Sequence, residues 1–387
     1  MDKMKALKGV SLFANVGVAE TYLNEVGIEI VVANELIEER AKFYKHLYPD
    51  VDMVIGDITE NEITDTIVQK CKDQEVDFVI ATPPCQGMSL AGKMSEQDER
   101  NQLIFYAIEA IKKIKPKYVL LENVPQQLKT KIRYNGVETI IPEYIEKELS
   151  ANYNFSTERL ISAKDFGVPQ MRKRNIMLMS RKDMTYVWQL PKQKYKEITL
   201  EDAISDLPSV DPILKEGIVE TLALFPEFES KRAEALKLSK WHYPPRHAKK
   251  HVEYLIHTPS GKTAFDNEIY YPKKDNGVRV NGHYNTYRRY AWNKAARTIT
   301  QNSGVISSLC CVHPGRKIVD HGNEESRYYS EPRCLTIYEL LIVSSLPKDW
   351  NIPDWASDKL IRSVIGEGIP PRLIYFIANQ LYNNRKE

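Results

Sequence analysis

Short apolar runs alternate with amphipathic stretches through the first half of the chain. Val10–Phe13, Glu29–Ala33, Met53–Ile55 and Val76–Ile80 carry the β-branched and aromatic residues of buried strands. Between them, Val18 to Val26, Leu36–Leu47 and Glu62–Lys72 space their apolar residues as helices do. Strand and helix in repeated order predict an α/β fold with a doubly wound, mostly parallel sheet. Lys117–Asn123 is a further strand, closed by Val124-Pro125, and Ile176–Met179 is another. The rhythm fails from about Gln189 to Tyr284, where prolines punctuate a locally basic and aromatic stretch. Leu335–Leu346 is an amphipathic helix opened by Thr336 with Glu339 three residues on, the pattern of a capping box. Leu373–Leu381, after Pro370-Pro371, is the last helix. These shifts divide the chain into three parts, to about residue 188, 189–284, and from 285 on.

Strand ends carry the candidate chemistry. Val76–Ile80 runs into Pro83-Pro84-Cys85-Gln86, so Cys85 emerges on a stiff turn at the strand's carboxyl end, the edge where open α/β sheets bind ligands. A thiol there is placed as a nucleophile, although a small buried Cys after a strand is the bland alternative. Glu122 reaches the same edge from the Lys117–Asn123 strand. A thiolate beside a carboxyl group suits attack on a substrate that must be protonated as it is attacked. Gln170, Arg172 and Arg174 alternate along an extended segment and so share one face, a clamp for an anion or a base edge.

Together these residues resemble the DNA (cytosine-5)-methyltransferase family of bacterial restriction–modification systems. Pro84-Cys85-Gln86 is similar to its nucleophile motif, Glu122-Asn123-Val124 to its glutamate motif and Gln170-x-Arg172-x-Arg174 to its arginine motif, in the same order. The resemblance continues at Arg297–Thr300, at Arg333–Thr336 with Glu339, and at Ile365–Pro371, and covers roughly residues 8–190 and 284–383. It implies that 1–188 is the catalytic and cofactor-binding domain. On the same basis 189–284 is a small target-recognition domain, 285–350 completes it and touches DNA, and 351–387 returns to the catalytic domain.

The resemblance also implies S-adenosyl-L-methionine as methyl donor. Phe13, Ala14, Asn15, Val16 and Gly17 form the turn after the first strand. Glu35, followed by Leu36, would accept from the ribose hydroxyls, Asp57 with Ile58 would hold the adenine, and Pro83 and Leu103 would wall the pocket. For Glu35 and Asp57 the competing role is a carboxylate at a helix N-terminus. Two positions depart from the family pattern: Asn15 and Val18 stand where glycines are usual, and Glu367 where asparagine is usual. Asn tolerates a left-handed turn, so the turn survives. Glu367 is left as an acceptor for the donor's ammonium group.

Double-stranded DNA is the implied partner. Gln86, Ser89, Gln170, Arg246, Arg288 and Arg297 are the candidate contacts, with Arg289 and Arg316 as further phosphate ligands. The run Lys237, Lys240, Trp241, His242, Tyr243, Arg246, His247, Lys249, Lys250 and His251 is the clearest basic and aromatic patch, or else a solvated helix face around a buried Trp. Net charge is only +2, so nucleic-acid binding must come from such clustering. The five cysteines have neither zinc nor disulfide spacing, which points to a reducing, cytoplasmic setting and no metal. Adjacent Cys310 and Cys311 read as core residues. Pro259–Thr263 ends like a phosphate-binding loop, but Ile256 replaces the required glycine. No apolar run is long enough to span a bilayer, and no signal-peptide core follows Met1. A monomer is expected, with a paired restriction endonuclease as possible functional companion.

The implied reaction adds the Cys85 thiolate to C6 of a flipped-out cytosine. Glu122 then acts at N3, Arg174 at the carbonyl, and Arg172 on the thiolate loop or a phosphate. The rivals are an RNA cytosine-5 methyltransferase, a non-catalytic DNA-binding relative, and a dinucleotide oxidoreductase, which the missing Gly-x-Gly-x-x-Gly disfavours.

Overall fold

The computed structural model of the protein describes residues 6–84, 99–318 and 328–384. In chain order, the first part contains β1 (Leu7–Leu12), β2 (Ile28–Glu35), α1 (Glu38–Leu47), β3 (Asp52–Ile55), α2 (Asn61–Asp73), β4 (Phe78–Ala81), α3 (Leu103–Ile114) and β5 (Tyr118–Asn123). A hairpin of β6 (Lys131–Tyr134) and β7 (Val137–Ile140) leads to α4 (Ile141–Leu149). Then come β8 (Tyr153–Phe155), β9 (Leu160–Ser162), β10 (Gln170–Met171) and β11 (Lys173–Arg181). The main sheet runs β3-β2-β1-β4-β5-β11-β8, with β9 also on β11. The pairs among β1 to β5 are parallel, and β11 is antiparallel to its neighbours. The expected doubly wound, mostly parallel sheet is therefore present.

Alternate side chains of the central strands bury on opposite faces, which is why these strands are apolar throughout. Val79 and Ala81 of β4 and Val119 and Leu121 of β5 pack with α2, α3 and α4. Phe78, Ile80, Tyr118 and Leu120 pack the other way, against Trp188 and α11 (Pro371–Asn384). The final helix thus returns to the first strand's layer.

The first crossover departs from expectation. Val18 to Val26 is a series of turns ending in a 3-10 segment, Asn24–Val26, not an α-helix. Its backbone bonds join residues three apart, as from Leu23 N to Glu20 O, and Gly27 closes it in a left-handed conformation. The segment still buries Val18, Leu23 and Val26, which explains the helix-like spacing. Strand β1 begins three residues before the expected Val10 and ends before Phe13, whose φ is 58°.

The second part has short elements: α5 (Leu200–Ile204), β12 (Ile213–Leu214), α6 (Ile218–Leu224), α7 (Phe228–Leu238), β13 (Arg246–His247), α8 (Lys249–Ile256), β14 (Ala296–Arg297), α9 (Ile337–Val343) and α10 (Asp358–Glu367). Helix α9 is shorter than Leu335–Leu346 because Ser345 turns left-handed, with φ 58°. Its expected capping box is formed: Glu339 N donates to Thr336 Oγ1 at 3.2 Å and Thr336 N to Glu339 Oε2 at 2.8 Å. It is buried almost all round rather than amphipathic, and packs with α5, α10, Val16, Val18 and Phe43 of the first part. No helix among the described residues is long and apolar enough to cross a membrane.

Candidate active site

The chain order of the sheet reverses between β1 and β4, a switch point where a crevice opens at the strands' carboxyl ends. Side-chain amides brace that edge. Asn34 Nδ2 donates to Val54 O and Gly56 O, at 3.0 and 3.1 Å, joining the ends of β2 and β3. Thr82 Oγ1 donates to Phe13 O at 3.1 Å. Asn123 Nδ2 donates to Pro83 O at 3.0 Å, which fixes the prolyl turn to the end of β5. These strand-end polar residues were not singled out from sequence as supports. An Asn or Thr closing an otherwise apolar strand is the signal that finds them.

One continuous cavity of about 1510 Å³ lies over this edge. That exceeds the roughly 300–1,000 Å³ of a site for one small molecule, so there is room for two ligands side by side. At one end it is lined by Phe13, Ala14, Asn15, Glu35, Leu36, Asp57, Ile58, Pro83 and Leu103, which the sequence assigned to the donor. Leu36 is 60% exposed there, an apolar face awaiting a cover. Val16 and Gly17 are not among the lining residues. Val16 is in the core, and a Cβ on Gly17 would lie 2.3 Å from the Tyr48 ring. Their part is to shape the turn, which needs φ 50° at Asn15 and 78° at Gly17.

Asn15 therefore takes the left-handed conformation expected of it. Its N–H donates to Glu35 Oε2 at 2.8 Å, while Ile37 N donates to Oε1 at 2.9 Å. Asn15 Oδ1 is buried with no hydrogen-bond partner among the described residues. Asp57 accepts from Thr59 N at 2.9 Å. Both carboxylates thus also serve nearby backbone N–H groups, as the competing role proposed, and still line the cavity.

At the other end Glu122 Oε1 and Arg174 Nε pair at 2.6 Å, with side chains only 11% and 10% exposed. Arg174 Nη1 also donates to Lys173 O. Ala81 is opposite Leu121 across the parallel pair, so Thr82 and Glu122 stand level at the carboxyl edge. Pro83 and Pro84 both line the cavity. Cys85, Gln86 and Ser89, the thiol nucleophile and two DNA contacts read from sequence, lie outside the described residues.

Several expected DNA contacts are corrected by burial. Gln170 is 1% exposed, its amide nitrogen facing Val343 O and Ser344 Oγ and its oxygen accepting from Ile299 N. It joins β10 to α9 and is closed to DNA. Arg172, read from sequence as acting on the thiolate loop or a phosphate, is buried and donates to Ile299 O and Glu367 O, both at 2.9 Å, as a brace between segments. Arg289 is buried and donates to the carbonyls of Leu255, His313 and Glu331. Arg316 pairs with Glu201 at 2.6 Å and lies over the Trp292 ring. Arg288 donates to Gly261 O. Arg297 is exposed at the cavity rim, held by Asn285 Oδ1 at 2.6 Å, and Arg246 is exposed on β13.

The basic patch is dispersed too. His242 is fully buried between Thr336 Oγ1 and Pro208 O, and burial holds its pKa below the usual value. His247 is buried and accepts from Cys334 N, while Trp241 packs on the α9 cluster. Lys237, Lys240 and Lys250 pair with Glu234, Asp354 and Asp275. Glu367 is also committed: Arg40 holds its carboxylate at 2.8 and 3.0 Å. Arg40 lines the cavity and was missed from sequence, where it is one charge in a charged helix. Cys310 and Cys311 are buried as expected.

Known proteins resemble this chain over almost its whole length. The model of the family described as C-5 cytosine-specific DNA methylase matches residues 7–383. The Type II methyltransferase M1.HgaI of Avibacterium volantium is 40% identical over 384 residues, covering 98% of this chain and 99% of that one. The Type II methyltransferase M1.HphI of Haemophilus parahaemolyticus is 25% identical over 96% of this chain and 86% of its own length. Among solved structures, one described as a DNA modification methyltransferase encoded within an E. coli prophage superposes with a TM-score of 0.65 at 21% identity, over 99% of this chain and all of that one. Spodoptera frugiperda DNMT2 superposes with a TM-score of 0.61 at 18% identity, over 99% and 100% of the two chains. These last two likenesses concern the fold.

Proposed function

The chain belongs to the C-5 cytosine-specific DNA methylase family, a DNA (cytosine-5-)-methyltransferase by that membership, and from that premise we propose that it methylates one cytosine within a short recognition sequence through a covalent Cys85 adduct. The observation that carries this reading is the single cavity that holds both the donor turn and the Glu122–Arg174 pair.

S-adenosylmethionine, when bound, supplies an electrophilic methyl group. The residues present fit it: Leu36 offers an exposed apolar face, Glu35 a buried carboxylate beside it, and Asn15 Oδ1 an unused acceptor. Leu36 and Ile58 would flank the adenine, with Pro83 and Leu103 as walls. Double-stranded DNA hides the C5–C6 edge in the stack, so the target cytosine must leave the helix for the cavity. The Cys85 thiolate adds to C6, forming a C–S bond and sending the ring's electron pair toward C5. Glu122 protonates or shares a proton at N3, and Arg174, already paired with it, fixes its direction and faces the ring's polar edge. The electron pair at C5 would form the new bond to the methyl group while the donor's sulfur–methyl bond breaks, its electron pair staying on the demethylated product. A base such as water then removes the C5 proton, the electron pair re-forms the C5–C6 double bond, and Cys85 leaves as thiolate. Arg297 at the rim is placed for a phosphate. The same reading makes the protein a cytoplasmic monomer, the modification half of a pair with a restriction endonuclease.

The test is transfer of labelled methyl from S-adenosylmethionine to unmethylated plasmid DNA, with bisulfite sequencing of the product. Methylation at the cytosine of one short motif is expected. Cys85→Ser is expected to lose at least about 10³-fold in turnover while binding DNA, and retained turnover overturns the covalent scheme. Incorporation into RNA but not DNA would overturn the substrate.

A further inference from the structure

Glu367 stands where the family resemblance places a donor contact, yet its carboxylate is fully engaged by protein. Arg40 Nη1 is 2.8 Å from Oε2, Arg40 Nη2 donates to Oε1 at 3.0 Å, and Ser363 Oγ donates to Oε1 at 3.1 Å. The pair is two-pronged and mostly shielded, with side chains 18% and 23% exposed. Arg40 belongs to α1, which follows β2, and Glu367 is the last residue of α10, so the bond joins segments 327 residues apart.

The backbone around Glu367 is as constrained as its side chain. A Cβ on Gly366 would lie 2.3 Å from the carbonyl carbon of Thr300, and one on Gly368 would lie 2.8 Å from Cβ of Val18. The Gly-Glu-Gly triplet is therefore wedged between the backbone of the 300–301 segment and the side chain of Val18 in the turn after β1. The carbonyl of Glu367 accepts from Arg172, which also holds Ile299 O. Arg40, Glu367, Val18 and Thr300 all line the cavity, and Arg172 lies two residues before Arg174.

We propose that Arg40 and Glu367 form a positioning clasp that sets the width of the donor pocket, and that Glu367 makes no contact with the donor. The clasp fixes the end of α10 against α1, and through the Glu367 carbonyl it aligns Arg172 and the strand that carries Arg174. It replaces, with an ion pair between helices, whatever a shorter residue at 367 would do. This rests on the donor-pocket reading above.

Four variants test it: Arg40→Ala, Glu367→Ala, Glu367→Gln and the exchange Arg40→Glu/Glu367→Arg. The dissociation constants of S-adenosylmethionine and its demethylated product are measured by calorimetry on the full chain, with thermal unfolding as the check on folding. Each alanine variant is expected to weaken binding roughly tenfold, the scale of one good partly shielded pair. KM for the donor should rise by a larger factor than kcat falls, the exchange should bind within about threefold of the parent, and Glu367→Gln should fall between. If Arg40→Ala binds normally while Glu367→Ala and Glu367→Gln do not, or if the exchange is worse than either single variant, Glu367 is a direct donor ligand and the clasp is wrong. If the unaltered protein binds neither compound, the donor-pocket reading falls and takes the clasp with it.

Discussion

The sheet half and the half spanning residues 199–367 are both well buried, but different bonds hold them. In the sheet, backbone ladders satisfy the peptide groups and leave the side chains free to be apolar, as Val79, Leu120 and Met177 are. The second half has few ladders, so side chains must satisfy its buried carbonyls. Arg289 serves Leu255, His313 and Glu331; Arg333 serves Val210 and Cys334 while pairing with Glu331 and Glu339; Arg362 serves Leu335. A guanidinium with five donors is the side chain best suited to gather loops in this way. Irregular backbone can be as fixed as a sheet when buried arginines replace the ladder.

That comparison is broken most directly at Arg333. Arg333→Met leaves Glu331 and Glu339 buried without their cation and is expected to destabilise the protein by about 3–5 kcal/mol. Calorimetric unfolding measures it, and a loss below about 1 kcal/mol would mean that the network is ornamental. Removing the charges together, as Arg333→Met with Glu331→Gln and Glu339→Gln, should recover at least half of the loss. The counterpart in the sheet, Leu120→Ala, costs about 2–5 kcal/mol through its cavity, and no second substitution of polar type restores it.

Buried glutamates sharpen the contrast because each half has one with the opposite pH dependence. In the sheet half Glu20 is buried beside Ser11, with Oε2 unpartnered among the described residues. Burial raises its pKa to about 7, the Ser11 hydroxyl opposing only in part. The folded state thus holds a proton that the unfolded state has lost above pH about 4.5. Stability from this group is complete below that pH and drains away as pH rises through 7. In the other half burial also pushes Glu339 up, but the Arg333 guanidinium outweighs it and brings the carboxyl to about 2. Its contribution is complete above pH about 4.5 and is lost as pH falls toward 2. Glu20→Gln should therefore stabilise the protein by on the order of 3 kcal/mol at pH 8 and by almost nothing at pH 4.5. Unfolding midpoints across that range decide it, and a uniform shift at both pH values sinks the assignment.

How far the sequence could be read follows the same divide. The strands β1 to β5 and β11 and the place of Glu122 at a strand end were legible because apolar runs are local signals, and Pro83-Pro84 and Pro125 mark where they stop. The turns of Val18 to Val26 were misread because a buried segment of successive tight turns has nearly helical spacing. In the second half charge and aromaticity were taken for surface chemistry. His242, His247 and Arg289, like Gln170 of β10, carry polar atoms that bind backbone inside the molecule, and no local pattern separates a buried arginine from an exposed one. The Arg40–Glu367 bond, spanning 327 residues, has no local signature at all.

The smallest expected effects lie on the surface, and they separate the two kinds of arginine and lysine in DNA binding. Lys237 and Lys240 belong to the run that composition marks as basic, but each is neutralised by a carboxylate, at 2.5 and 2.7 Å. Lys237→Ala and Lys240→Ala should change the dissociation constant for a duplex by less than about twofold, because the charge removed already has a counterion in the protein. Arg297 donates to the neutral amide of Asn285 and lies beside the Cys310 thiol, and no ion pair holds it among the described residues, at the rim of the cavity into which the base must turn. If it neutralises one phosphate, Arg297→Ala weakens binding severalfold and lowers the slope of log affinity against log salt by about 0.9. Titrations of the three variants at several salt concentrations read both quantities. A full unit of slope lost at Lys237 with none at Arg297 would return the DNA-binding face to the patch that composition suggested, and would make the rim arginine a support for the loops of Asn285 and Cys310.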